Sequence, residues 1–221
     1  MEATFSCSSL LQRPGTPTMP MSILKVAQST LPTRFGSFDI HVYRDVEAQH
    51  EHVVLTFGAP RTGCMARVHS ECATGDIFGS LRCDCGQQLA KSLEMIARVG
   101  EGVVIHVRGH EGRGIGLQQK IAAYALQDQG LDTVQANHRL GFPTDARRYD
   151  AAVAILRDLG LDAVRLISNS PDKISALEAG GIRVVERIPI WIPANAYNRR
   201  YLETKRTVMG HLADRTDAQG Q

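Results

Sequence analysis

Three cysteines spaced Cys72-x10-Cys83-x-Cys85 constrain this chain more than any other feature. They lie in Arg67-Val-His-Ser-Glu-Cys72 and Leu81-Arg-Cys83-Asp-Cys85-Gly86, interleaved with His69, Glu71, Asp76 and Asp84. Cys83 and Cys85 are too close along the chain for easy bridging, so the pattern reads as metal ligation in a reducing compartment, not as a disulfide framework. Three thiolates can hold a zinc ion and leave its fourth position for water, which is the arrangement of a hydrolytic site. On spacing alone two other readings stay open. Nearby Cys64 could complete a closed structural zinc site, or the cysteines could be reduced core residues.

The rest of the chain supplies an ordinary scaffold for such a loop. A length of 221 residues fits one larger domain, burying about 70% of the surface its unfolded chain exposes. Hydrophobic residues make up 43% and charged residues 22%, so stability needs no disulfides. A formal net charge of +2 gives no reason to expect nucleic acid or a membrane surface as partner. No apolar run approaches the ~18 residues of a membrane span, and no apolar signal region follows Met1. Residues 1–21, rich in Ser, Thr and Pro, read as a disordered tail that contains Cys7, with Met19 or Met21 as alternative starts. Residues 213–221 read as a flexible end, leaving a single domain over 22–212.

Periodicity places strands at Ile23–Ala27, Phe38–Tyr43, His52–Phe57 and Met65–His69. Beyond the cysteines, helices and strands alternate. Helices are expected at Gln88–Val99, Leu117–Gln129, Ala146–Leu159, Lys173–Ala179 and Asn195–Leu212; strands are expected at Gly102–Val107, Ala163–Ser168 and Ile182–Val185. The fold class that follows is α/β, or α+β-like, with a mixed sheet and flanking helices.

Three further segments carry candidate chemistry. Arg108-Gly-His-Glu-Gly-Arg-Gly-Ile-Gly116 leaves a buried strand and enters a helix, where glycine amides and Arg108 or Arg113 could bind an anion. It is neither a Walker A loop nor a G-x-G-x-x-G fingerprint, and a plain connecting loop explains the glycines equally well. In Gly141-Phe-Pro-Thr-Asp145-Ala-Arg147-Arg148-Tyr149, Asp145 reads as a helix N-cap with solvated arginines after it. Ser168-Asn-Ser-Pro-Asp-Lys173 reads as a hydroxyl-capped turn with a surface lysine. His69-Ser-Glu71 imitates the H-x-E half of nucleoside deaminases, but the P-C-x-x-C half is missing. Tyr124 shares a helical stripe with Leu117 and Ile121 and reads as a core aromatic. His106 and His138 read as packing or pocket-lining residues.

Taken in order, these segments resemble the GTP cyclohydrolase II family from about Ile23 to Leu212. The likeness rests on the two cysteine motifs, on Glu111-Gly-Arg-x-Ile-Gly-Leu117, Ala123-Tyr-Ala-Leu-Gln-Asp-Gln-Gly130 and Asp132-Thr-Val-x-Ala-Asn-His138, and on Met209-Gly-His-Leu212. The resemblance implies zinc held by Cys72, Cys83 and Cys85. It implies GTP contacts from Arg67, Val68, His69, Ser70, Glu71, Gln88, Glu111, Gly112, Arg113, Thr133, Ser168 and Lys173. Asp145 would be a general base, Arg147 the group acting at the α-phosphate, and Tyr124 a residue near the guanine ring. The resemblance also implies Mg²⁺ on the triphosphate, a homodimer, a cytoplasmic setting, and products that are formate, pyrophosphate and a diaminopyrimidinone on the route to riboflavin. A sister activity on the same scaffold, stopping at the formamide or feeding a secondary pathway, is the competing expectation. The length leaves no room for a dihydroxybutanone phosphate synthase domain ahead of this one.

Overall fold

Alternating apolar side chains in the first third pair into antiparallel ribbons, and the βα repeats after them extend the same sheet in parallel. The structure, a computed structural model, describes residues 23–212; both expected tails, Met19, Met21 and Cys7 lie outside the described residues. Strands β1 (Ile23–Thr33), β2 (Gly36–Asp45), β3 (His50–Phe57), β4 (Met65–Ser70), β5 (Gly102–Val107), β6 (Ala163–Ile167) and β7 (Arg183–Ile188) form one seven-stranded sheet. Its order is β1-β2-β3-β5-β4-β6-β7. Pairings from β1 to β5 are antiparallel, whereas β4 runs parallel to β5 and β6, and β6 parallel to β7.

Helices α1 (Ala73–Asp76), α2 (Cys85–Val99), α3 (Gly116–Asp128), α4 (Thr133–Arg139), α5 (Asp150–Asp158), α6 (Pro171–Ala179) and α7 (Arg199–Thr207) complete the domain. One face of the sheet packs on α5 and α6 through Val68, Ile105, Ile155, Leu156, Leu166 and Leu177. The other packs on α2 through Met65, Val104, Ile167, Ile96, Leu89 and Leu93. Burying apolar stripes of helix and strand against each other in this way is the main source of stability, at roughly 25 cal/mol per Å².

The expected mixed sheet is therefore present; helix α4 is additional, the helix expected at Asn195–Leu212 is confined to Arg199–Thr207, and three further segments differ. β1 continues to Thr33 through Pro32, which an edge strand tolerates because its outer amides need no partner. The chain over Ala146–Tyr149 is not helical: α5 starts at Asp150 with Tyr149 as its N-cap, so Asp145 caps nothing. In α3 the expected stripe faces outward. Leu117 and Ile121 are about half exposed, whereas Lys120 and Ala123 are buried.

β4 sits between β5 and β6, and the chain leaves it first towards one neighbour and later towards the other. Such a switch point opens a crevice at the carboxyl ends of the strands. Ser70, Glu71 and Cys72 emerge there.

Candidate active site

Two cavities occupy that crevice, and Ser70, Cys85, Arg113, Arg147 and Tyr201 line both. The first holds the thiols. Cys72 caps α1, Cys83 lies in the following loop and Cys85 opens α2. Their sulfurs lie within 4.8 Å of one another, with Cys72 Sγ 3.7 Å from Cys83 Sγ. Gly75 makes this approach feasible, because a Cβ there would stand 2.7 Å from Cys83 Sγ. Among the described residues no other His, Cys, Asp or Glu joins the thiol group. Cys64 lies instead in the hydrophobic core at the other end of β4, which removes it as a fourth ligand. Three soft donors without a fourth suit a metal ion whose remaining position takes a non-protein ligand.

The loop carrying these thiols is held from beneath. Asp76 accepts hydrogen bonds from His69 Nε2 (3.0 Å), His106 Nε2 (3.1 Å) and the Cys72 amide (3.0 Å). Burial alone would raise the Asp76 carboxyl, but these donors outweigh it and hold it at about 2. Burial keeps His69 neutral, with its pKa lowered to about 4. Lys120 Nζ reaches Glu111 Oε1 (2.6 Å), Thr74 Oγ1 (2.8 Å) and Cys72 Sγ (3.1 Å). Hydrogen bonds from the Cys83 and Cys85 thiols, then the charge on Lys120, stabilise the Cys72 thiolate. Tyr124 lines this cavity, with its hydroxyl 3.4 Å from Thr74 Oγ1, so it belongs to the site and not to the core.

The second cavity is lined by cations. Arg67, Arg113, Arg147, Lys173 and Lys205 face it, and the carboxylates they meet are Asp84 (to Lys205) and Asp145 (to Arg147). Arg67 donates to the Ile167 carbonyl (2.9 Å) and to Gln88 Oε1 (2.6 Å), and Gln88 in turn donates to Asp84. Lys173 is buried, donates to the Val68 carbonyl (2.6 Å) and has its pKa pushed well down by burial and then by Arg67 and Arg147. Both terminal nitrogens of Arg113, and Arg67 Nε, are buried without a partner among the described residues. An interior that leaves several cationic donors unpaired is built for an anion.

Arg147 stands between the cavities. Its guanidinium grips Asp145 with Nε at 2.9 Å and Nη2 at 2.5 Å, and Nη1 reaches Ser70 Oγ at 3.2 Å. Burial disfavours charge on both partners, but the pair overrides it: Arg147 is held more basic and Asp145 more acidic than usual. The chain continues through His110, whose Nδ1 is 3.1 Å from Ser70 Oγ and whose Nε2 is 2.7 Å from the Arg148 carbonyl. That carbonyl only accepts, so Nε2 carries the proton and Nδ1 accepts from Ser70. Burial, then the charge of Arg147, lowers the pKa of His110 to about 4. A wider groove of about 910 Å³ opens beyond Arg147 and Tyr149, but the cysteines do not line it.

Most of the residues expected from sequence converge here. Arg67, His69, Ser70, Gln88, Ser168 and Lys173 line the cationic cavity; Ser70, Glu71, Cys72, Cys83, Cys85, Gly112, Arg113, Tyr124 and Thr133 line the other. Three line neither cavity: Val68, Glu111 and Asp145, the last meeting the site only through Arg147. Val68 points into the hydrophobic core, as alternation along a strand requires, and offers its carbonyl to Lys173. The Glu111 carboxylate is taken up by Lys120 and by the Ala73 and Gly112 amides. Four amides of the glycine-dense turn are likewise spent on protein. Gly109 donates to Glu71, Gly112 to Glu111, and Arg113 and Gly114 to His110. The turn also offers the cavities the side chain of Arg113, from a residue held in a left-handed conformation at φ 66. Asp76 and Asp84 stand out in the sequence only by lying among the cysteines, and no spacing signal points to His110, Lys120, Tyr201 or Lys205.

The profile of the GTP cyclohydrolase II family matches residues 24–189. GTP cyclohydrolase-2 of Shewanella pealeana is 50% identical over 194 residues, covering 87% of this chain and 92% of that protein. The Shewanella woodyi protein of the same name is 50% identical over 194 residues, with 87% and 94% covered. The riboflavin biosynthesis protein RibBA of Aquifex aeolicus is 52% identical over 190 residues, and the chain, covered to 85%, spans about half that relative's length (47%). Among solved structures, a two-domain 3,4-dihydroxy-2-butanone 4-phosphate synthase from A. baumannii aligns at 21% identity and a TM-score of 0.42, over 80% of this chain and 42% of that one. A likeness of that size bears on neither fold nor activity. The sequence matches run through both cavities and along most of the chain, and place it in one group: this protein belongs to the GTP cyclohydrolase II family.

Proposed function

We propose that this protein opens the imidazole ring of GTP, giving formate, pyrophosphate and 2,5-diamino-6-ribosylamino-4(3H)-pyrimidinone 5′-phosphate, the first step towards riboflavin. The observation that carries this reading is the junction of a three-thiol pocket with a cation-lined one through Arg113 and Arg147. One end suits the guanine and the other the triphosphate. The stoichiometry requires three waters: two to release C8 as formate, and one to replace pyrophosphate at the α-phosphorus.

Cys72, Cys83 and Cys85 are the residues that would hold zinc, which when bound lowers the pKa of water towards ~7 and makes it a nucleophile at neutral pH. Arg67, Arg113 and Lys173 bind the polyphosphate, and Arg147 stabilises charge developing at the α-phosphoryl group as pyrophosphate leaves. A guanidinium paired this tightly stays protonated, which favours electrostatic stabilisation over covalent attack. Asp145 is engaged by Arg147 through both oxygens and orients it, a less demanding task than general-base catalysis. Tyr124 sits beside the thiols, where it contacts the ring and directs the second water. Mg²⁺ on the triphosphate would offset part of its charge.

A second copy of this chain is the proposed partner. Ile77, Phe78 and Leu81, 72%, 76% and 52% exposed between the metal-loop cysteines, form apolar surface for such a contact. No helix among the described residues is long and apolar enough to cross a membrane, and free thiols fit a reducing cytoplasm.

Incubation of the zinc-loaded protein with GTP and Mg²⁺ is expected to yield formate and pyrophosphate in equal amounts. A product whose mass retains the formyl carbon would move the assignment to the sister activity that stops at the formamide. Release of ammonia would refute ring opening altogether.

A further inference from the structure

The match to the family profile ends at residue 189, yet the cationic cavity does not. Helix α7 and the turn after it pass over the crevice and complete its lining with Tyr201, Lys205, Met209 and His211. The segment is fixed at both ends. Asn195 and Asn198 exchange side-chain-to-backbone hydrogen bonds ahead of α7, and the Leu212 amide donates to the Asn169 carbonyl (2.9 Å), beside Ser168 and Ser170 of the same cavity.

Lys205 is the feature that needs a function. Its side chain is 14% exposed, and Nζ lies 2.8 Å from Asp84 Oδ1, itself 5% exposed and set between two metal-loop cysteines. The Tyr201 ring packs under the same ammonium at 4.6 Å, with the Arg113 guanidinium at 6.0 Å from that ring. A buried ion pair is weak evidence of stabilisation, since apolar residues of similar volume do as well or better. Here the pair adds a fifth cation to a cavity that already holds Arg67, Arg113, Arg147 and Lys173. Asp84 fixes where the ammonium points, and two of its three protons remain free to donate.

We propose that Lys205, carried by the C-terminal helix, is a further polyphosphate-binding residue, so that the substrate site extends past the profile-matched residues. This rests on the GTP ring-opening reading given above. Tyr201, lining both cavities, marks where the nucleoside passes into its phosphates.

The test compares Lys205→Gln with the unsubstituted protein and with Arg206→Ala, an exposed neighbour on α7. KM for GTP, kcat, inhibition by inorganic pyrophosphate and bound zinc are measured for each. Lys205→Gln is expected to raise KM about tenfold and to weaken pyrophosphate inhibition by a similar factor, which is the loss of roughly one charged hydrogen bond. Its kcat and zinc content should stay near those of the unsubstituted protein, and Arg206→Ala should change nothing. Removing the lysine alone strands the Asp84 carboxylate, so Asp84→Asn with Lys205→Gln is the companion variant, expected to show the same weakening with both charges gone. Unchanged KM and pyrophosphate inhibition in these variants would overturn the proposal, as would zinc loss that accounts for the whole defect. Failure of the unsubstituted protein to open GTP would instead sink the reading on which it rests.

Discussion

The two cavities differ in how completely their polar groups are satisfied. Around the thiols the supporting carboxylates are taken up, Asp76 by His69, His106 and the Cys72 amide and Glu111 by Lys120 and two amides, and of these groups His69 Nδ1 alone lacks a partner among the described residues. Around the cations, Arg67 Nε and both terminal nitrogens of Arg113 stay unpaired, and Lys173 finds only a carbonyl. A satisfied network fixes geometry, which a metal centre needs. An unsatisfied one stores electrostatic demand, which a polyanion meets. On the proposed reading, the fold sets a rigid metal-holding end beside an end that grips the polyphosphate.

The largest expected effect is on the chemical side. Cys72→Ser should abolish metal binding and reduce ring opening by about three orders of magnitude or more. Neither core cluster requires that sulfur, so far-UV circular dichroism should be unchanged. Ring opening that survives in metal-free Cys72→Ser would break the division between the cavities.

Next comes a contrast within the cationic side. Arg147→Ala is expected to lower kcat for pyrophosphate release by about 10²–10³-fold, the range for removing a donor to transition-state charge. Lys173→Ala should act mainly on KM, by about tenfold, or about 1.4 kcal/mol. Steady-state kinetics of both variants reads the split, and equal loss of GTP affinity in the two would erase it.

A pH effect sharpens the link between the halves. His110 links Ser70 to the Arg148 carbonyl as a neutral ring, because burial and the Arg147 charge lower its pKa to about 4 when folded, against an ordinary ~6.5 in the unfolded chain. Between those values the unfolded chain binds the proton and the folded one does not. Stability from neutral His110 is therefore present above about pH 6.5 and is lost as pH falls towards about 4, by up to on the order of 3 kcal/mol. Urea titrations across that window should show a shallower decline for His110→Gln. An identical decline would remove His110 from the linkage.

How much of this was legible in the sequence follows the same division. Cys72, Cys83 and Cys85 announce themselves by spacing, because a metal needs several like ligands in a short stretch. Their supports do not. Asp76, His106 and Lys120 each come from a different element and gather around the thiol loop only once α1, β5 and α3 are packed. Helix α4 was overlooked although Asp132 and Gln135 form a capping box ahead of it, a signal that was available. The outward face of α3 could not be read, since Leu117 and Ile121 follow the helical period as well as Lys120 and Ala123 do. Asp145 looked like a cap because short acids before helices usually are. Its partner Arg147 lies two residues on, and the carboxylate turns to that guanidinium instead.

The smallest effect is expected far from both cavities. Tyr43 donates to Asp158 Oδ2 at 2.7 Å on the α5 side of the sheet. Tyr43→Phe should cost about 1 kcal/mol of stability and leave turnover unchanged. A change in turnover would show that the core face and the site are coupled.

The central claim, a metal held by three thiols with one position for a non-protein ligand, is tested most directly by X-ray absorption at the zinc edge of active protein with its metal content measured. The expected result is one zinc per chain with three sulfur neighbours at about 2.3 Å and one lighter atom at about 2.0 Å. Four sulfurs around the ion, or active protein without zinc, would contradict it.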